Sequence, residues 1–178
     1  MNRFTKRVPA NIVLVGFMGT GKSAVSEKLA KRLQWTAIHT DEQIERIEAS
    51  TISDIFGKKG EAYFRQVETK VLTEHLGQRG CVLDTGGGAV LAAENREAMR
   101  ARGFVVALTA TAETIIERVR ADVNRPLLQG GVEERVRRLL AERQGAYSFA
   151  DVEIDTTVLS VDAVVDRILA ALPDEFTT

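Results

Sequence analysis

Residues 16–23 read Gly-Phe-Met-Gly-Thr-Gly-Lys-Ser, the full G-x-x-x-x-G-K-[ST] pattern. Each fixed position has a chemical reason. Gly16, Gly19 and Gly21 let the backbone turn so that successive N–H groups, those of Met18 and Thr20 among them, face inward around phosphate oxygens. A helix opening near Lys22 and running through Ala24 adds the positive end of its dipole. Lys22 brings a full charge to the β- and γ-phosphates, and the Ser23 hydroxyl can sit on Mg²⁺. An ordinary glycine-rich turn could carry the same glycines. The apolar run before this one and the amphipathic stretch after it favour the phosphate cradle. The pattern speaks for a nucleoside triphosphate and not for one reaction, since GTPases, motor-like ATPases and small kinases share it.

Three further groups of residues suit an acceptor molecule. Asp41, in His39-Thr40-Asp41, follows a short apolar run. A carboxylate at the carboxyl end of a strand can orient or deprotonate a hydroxyl, although Asp is also a favoured helix cap. Arg65 and Glu68 stand three apart in a helical stretch. An acid at that spacing can hold a guanidinium still for a carboxylate ligand, but from spacing alone a solvated surface pair is the commoner case. Gly86, Gly87 and Gly88 follow Asp84-Thr85. A tight turn needs only one or two glycines, so three in a row favour close approach of the backbone to a ligand.

These residues need a scaffold, and the pattern supplies one. Short apolar runs at 11–15, 36–39, 81–84, 105–108 and 152–155 alternate with amphipathic stretches, as in a parallel sheet covered by helices. Ala24, Val25, Leu29 and Leu33 share one helical face. Val161, Val164, Val165, Ile168, Leu169 and Leu172 follow the same spacing near the C-terminus. An insert at 40–78 reads as helical and broken near Gly57 and Gly60. The polar segment 122–131 reads as a loop between helices. The length of 178 residues favours one domain. A net charge of -1 gives no hint of nucleic acid or membrane as partner. No apolar stretch approaches the about 20 residues that span a bilayer. The single cysteine, Cys81, excludes an internal disulfide and fits a reducing, cytoplasmic setting. His39 stands isolated in the sequence and His75 among polar neighbours, which makes no zinc pattern. The charged stretch 133–143 reads as a solvated helix face, with Arg143 the exception.

Taken together, the loop at 16–23, Asp41, Arg65-x-x-Glu68, the triple glycine at 86–88, Arg125-Pro126-Leu127-Leu128, and Arg143 followed by Tyr147 resemble the shikimate kinase family over nearly the whole chain. The string from 65 to 90 nearly spells that family's signature. The resemblance implies a three-layer P-loop NTPase fold of the nucleoside-monophosphate-kinase type, with a five-stranded parallel sheet flanked by helices. It implies transfer of the γ-phosphate of ATP, with Mg²⁺, to the 3-hydroxyl of shikimate by a monomer. Asp41 would be the acceptor's base, and Arg65 and Arg143 would clamp its carboxylate. The amides of Gly86, Gly87 and Gly88 would line the pocket. Lys22 and Arg125 would neutralise charge during transfer, Arg125 coming from a lid near 122–131. Arg118 would stack on adenine, where a plain reading would make it an exposed helix arginine. The insert at 40–78 would bind shikimate.

The chain departs from the family's pattern at three places. The family usually has Asp-x-Asp where His39-Thr40-Asp41 stands here, and a small residue where Asp84 stands. It often has a proline in the segment corresponding to 155–160. Histidine is a poor substitute near Mg²⁺, which prefers oxygen ligands. Asp84 ends an apolar strand, as the second-motif aspartate of other P-loop enzymes does. With Ser23, it is the candidate that restores the lost Mg²⁺ carboxylate. Three rivals stay open at this point: a gluconate kinase, a nucleotide kinase, and a nucleotide-binding relative with impaired catalysis.

Overall fold

The computed structural model describes residues 10–121 and 131–176. Five strands, β1 (Asn11–Gly16), β2 (Thr36–His39), β3 (Cys81–Asp84), β4 (Gly103–Thr109) and β5 (Val152–Asp155), form one sheet in the order β2-β3-β1-β4-β5. Every pairing is parallel, so all five carboxyl ends lie along one edge. This is the expected five-stranded parallel sheet with helices on both faces.

Strand β1 is the axis of the core. Every residue from Asn11 to Gly16 is buried, as a central parallel strand covered on both sides requires. Its side chains alternate between the two layers. Ile12 and Leu14 pack with Val25 and Leu29 of α1 (Lys22–Leu33) and Val165 and Ile168 of α7 (Val161–Ala171). Val13 and Val15 pack with Leu72 and Leu76 of α3 (Ile52–Leu76) and Met99 of α4 (Ala93–Arg102). The buried Asn11 side chain stitches the amino-terminal edge. Its Nδ2 donates to the Leu76 and Gln78 carbonyls, and its Oδ1 accepts from the Cys81 amide at 3.1 Å. Of the face expected on α1, Ala24 is exposed; the buried stripe runs through Val25, Leu29 and Ala30 instead.

Two smaller cores lie above the carboxyl edge. Ile44 of α2 (Thr40–Glu48) packs with Ile55, Phe64 and Val71 of α3. Phe17 packs with Ile115, Ile116 and Val119 of α5 (Ala112–Ala121) and Val136 of α6 (Val132–Glu142). The insert departs from expectation in one detail. Helix α3 starts at a Thr51 cap, whose side chain accepts from the Asp54 amide, and runs through Gly57. Its only non-helical residue is Gly60, at φ 83° and ψ 168°. Glycine inside a helix costs about 1 kcal/mol relative to alanine without forcing a break. The conformation of Gly60, by contrast, is one that only glycine adopts readily. Among the described residues no helix is long and apolar enough to cross a membrane.

Candidate active site

The loop between β1 and α1 has the backbone its sequence demands. Gly16, Gly19 and Gly21 all have positive φ, at 148°, 77° and 95°. Gly21 stands at the N-cap of α1 without a side-chain cap, so the first amides of the helix face the loop. The Thr20 hydroxyl donates to the Phe17 carbonyl at 2.7 Å. The buried Lys22 ammonium curls over the loop, 2.9 Å from Gly16 O and 3.0 Å from Phe17 O. Main-chain amides, a helix terminus and a lysine thus converge on one point, a site made for polyphosphate. Met18 is half-buried within the loop, while Ser23 and Ala24 are exposed on the first turn of α1.

Arg118 is not a free surface arginine. Its Nη1 donates to the Gly19 carbonyl at 3.0 Å and to Thr156 Oγ1 at 3.2 Å, and Nη2 donates to the Thr156 carbonyl at 2.9 Å. The buried Thr156 hydroxyl reaches the carbonyls of Thr20 and Thr109. The guanidinium therefore straps the phosphate loop to the segment after β5. Thr156 carried no signal in the sequence, because its partners Arg118, Thr109 and Thr20 stand 38, 47 and 136 positions away.

The acceptor side is gathered by Gly86, Gly87 and Gly88. A Cβ on Gly86 would fall 2.8 Å from Asp41 Oδ1 and 3.0 Å from Glu68 Oε1. One on Gly87 would fall 3.1 Å from Arg143 Nη1 and 3.6 Å from the Gly16 carbonyl. One on Gly88 would fall 2.5 Å from Arg65 Nη2 and 2.7 Å from Nη1. Four side chains and the phosphate loop therefore close on one bare stretch of backbone. Thr40 sets the position of Asp41: its buried hydroxyl donates to the Asp84 carbonyl at 3.2 Å and accepts from the Gly86 amide at 3.3 Å. The N-cap of α2 is His39 and makes no side-chain cap bond. Asp41 lies in the first turn of that helix instead, where its charge suits the dipole.

Arg65 and Glu68 are not the surface pair that spacing alone suggested. Arg65 Nη1 donates to Glu68 Oε2 at 2.7 Å, and Glu68 is 1% exposed. Its other oxygen, Oε1, is buried without a hydrogen-bond partner. Burial pushes the Glu68 carboxyl above its usual pKa, with Asp41 adding to the rise; Arg65 and, more weakly, Arg143 hold it back. Arg143 caps the end of α6 with its guanidinium carbon 5.2 Å from the centre of the Phe17 ring. Tyr147 beside it donates to the Gly87 carbonyl at 3.4 Å. Burial raises the Tyr147 phenol, against the pull of Arg143.

Asp84 and His39 also meet. The register pairs them across β2 and β3. Asp84 Oδ2 accepts from Ser23 Oγ at 2.7 Å and lies 3.0 Å from His39 Nδ1. His39 Nε2 lies 2.8 Å from Glu27 Oε1. His39 is thus far from isolated, contrary to its appearance in the sequence. Burial alone would lower its pKa, but the hydrogen bonds to Glu27 and Asp84 outweigh that and raise it above 6.5. Glu27 was not singled out in the sequence, although it stands four residues after Ser23 and so on the same face of α1. Arg125 and residues 122–130 of the expected lid lie outside the described residues; Gly131, at φ 71°, starts α6.

A family model for shikimate kinase matches residues 18–173. The chain belongs to the shikimate kinase family. It is 42% identical to the shikimate kinase of Pelotomaculum thermopropionicum over 92% of this chain and 96% of that one. It is 43% identical to that of Geobacter metallireducens over 91% of each. Among solved structures, the shikimate kinase from Acinetobacter baumannii in complex with shikimate matches with a TM-score of 0.85 and 41% identity, over 92% of both chains. Shikimate kinases are ATP-dependent phosphotransferases that act on a hydroxyl of shikimate, and membership gives this chain that activity.

Proposed function

We propose that the chain phosphorylates the 3-hydroxyl of shikimate with a division of labour along the carboxyl edge of the sheet. The observation that carries this reading is the triple glycine, which brings Asp41, Arg65 and Arg143 to the same few ångströms as the phosphate loop. The amides of residues 16–24 hold the polyphosphate, and Lys22 follows the β- and γ-phosphates. Arg65 and Arg143 bind the shikimate carboxylate, with Glu68 keeping the Arg65 fork oriented. Asp41 orients the hydroxyl and accepts its proton as the phosphoryl group arrives. Arg118 braces the loop and borders the base. Arg125, outside the described residues, supplies positive charge from the lid at 122–131, and the insert at 40–78 forms the acceptor wall.

Ser23 and Asp84 fit Mg²⁺. Both offer oxygen, the donor this ion prefers, and they are hydrogen-bonded to each other beside the loop. Ser23 and Asp84 would hold the ion, which would supply positive charge against the negative charge of the transferring phosphoryl group. The loop, the lysine and the acceptor clamp do the rest of the alignment.

The free, buried Cys81 suits a reducing compartment, and we place the enzyme in the cytoplasm as a monomer. The test is ADP release in a coupled assay with shikimate, gluconate and nucleoside monophosphates, Mg²⁺ being varied. Turnover that requires shikimate and Mg²⁺, with the product phosphorylated at the 3-position, is expected. Turnover with another acceptor alone, or tight ATP binding without turnover, overturns the reading.

A further inference from the structure

The ring of His39 stands between two carboxylates, 3.0 Å from Asp84 Oδ2 and 2.8 Å from Glu27 Oε1. An ionised carboxylate only accepts hydrogen bonds. Both contacts are made at once when both ring nitrogens donate. The Asp84 oxygen that faces His39 also takes the Ser23 hydroxyl. Three elements are joined in this way. Ser23 and Glu27 come from one face of α1, His39 from the end of β2, and Asp84 from the end of β3. The sheet register sets the His39–Asp84 separation, and the side chains of both are largely buried, at 16% and 10% exposure.

Asp84 has few other means of holding its orientation. It ends a strand, and the residues after it are Thr85 and three glycines. Thr85 is tied to the Leu14 carbonyl and not to the Asp84 side chain. A carboxylate that turned about its side-chain torsions would lose Ser23. The imidazole strut stops that turn, and Glu27 anchors the strut's outer end.

We infer that His39 and Glu27 are positioning residues for the metal carboxylate, a strut that holds Asp84 against Ser23. This rests on the reading of Asp84 as a Mg²⁺ carboxylate. The strut touches neither nucleotide nor acceptor. Its loss acts on metal affinity and leaves the phosphate loop and the acceptor clamp intact.

The test is calorimetric ADP binding with and without Mg²⁺, joined to the Mg²⁺ dependence of turnover. Partners that orient a metal ligand are worth about 10- to 100-fold in metal affinity. His39→Ala is therefore expected to cut the Mg²⁺-dependent gain in ADP affinity about tenfold or more. Metal-free ADP affinity, shikimate KM and kcat at saturating Mg²⁺ stay in place. His39→Asn, which can still donate to Asp84, recovers part of the loss. Glu27→Ala shifts Mg²⁺ affinity in the same direction by less, and because Glu27 is exposed this variant folds whatever becomes of the others. In an Asp84→Asn background, His39→Ala adds nothing.

Two failures are distinguishable. If Asp84→Asn leaves the Mg²⁺ requirement unchanged, the metal reading itself falls. If Asp84→Asn weakens Mg²⁺ binding while His39→Ala and Glu27→Ala do not, the strut alone is overturned. Equal losses of metal-free and Mg²⁺-dependent ADP binding in His39→Ala and Glu27→Ala would likewise overturn it, since that marks a loosened fold.

Discussion

The loop between β1 and α1 and the wall made by α2 and α3 flank the same catalytic space, but they are made of different things. The loop is main chain. Glycines at positive φ aim its amides, and the strand before it is wholly buried in the central core. The wall has a small core of its own, Ile44, Ile55, Phe64 and Val71. It reaches the site through individual side chains, Asp41, Arg65 and Glu68, that meet at bare glycine backbone. A site divided in this way binds one substrate by geometry that no single side chain provides. It binds the other by side chains that can be removed one at a time. Substitutions in the wall should therefore alter acceptor chemistry and leave nucleotide binding untouched.

The largest break in that comparison is expected from Asp41→Asn. General-base catalysis contributes about 10²–10⁴ in rate, so kcat should fall into that range while ADP affinity by calorimetry stays where it was. A comparable fall in ADP affinity would show that the two sides are not separable. Arg65→Ala comes next. A charge-assisted hydrogen bond is worth about 1.5–3 kcal/mol, and two parallel ones to a carboxylate should raise the shikimate KM by about 10²-fold or more. Gly88→Ala should move the KM in the same direction, because its Cβ would fall 2.5 Å from the Arg65 guanidinium. In both variants the ATP KM is the control that must not move.

The same division governs what could be read from the sequence. Contiguous features were legible. The loop at 16–23 and the triple glycine are strings whose residue types follow from backbone geometry, and the five strands stood out as apolar runs. Arg65 and Glu68 were legible as a pair but not as a buried one, because burial of Glu68 depends on how α3 packs. Contacts between distant segments were not legible. Glu27, four residues past Ser23 on a helix, looks like any solvated glutamate until β2 brings His39 to it. By residue type alone Arg118 read as an exposed helix arginine, and only the family resemblance put it at the nucleotide, because its partners, Gly19 and Thr156, are far away in the chain. Gly57 and Gly60 were indistinguishable by type. Only Gly60 takes a conformation that needs glycine.

Gly60 sharpens the comparison by testing whether the wall's backbone matters apart from its side chains. A Cβ there would meet nothing within 4 Å, so Gly60→Ala has no steric neighbour to displace. The cost is the dihedral strain alone, about 1–3 kcal/mol. Urea unfolding should show a loss in that range. If the kink also aims Arg65, five residues further along α3, the shikimate KM should rise with it. A stability loss with unchanged KM would mean that the Glu68 contact alone orients the guanidinium.

The smallest expected effect concerns the buried Glu68. Its folded pKa lies above the ordinary 4.5, chiefly because burial disfavours the charged form. The folded chain therefore binds this proton more tightly than the unfolded chain does. The stability that follows is fully present below pH 4.5 and is lost as pH rises through the raised value, at no more than about 1.4 kcal/mol per pH unit. Glu68→Gln removes the titration. The wild type should lose stability relative to this variant as pH climbs from 4.5, a difference that melting temperatures measured at a series of pH values will show. Parallel curves would mean that Arg65 compensates the burial in full and that Glu68 titrates in the folded chain as it does in the unfolded one. Convergence toward acid would leave Arg65 held, at low pH, by a neutral acid. The shikimate KM of the wild type should then worsen, relative to that of the variant, as pH falls through the raised value.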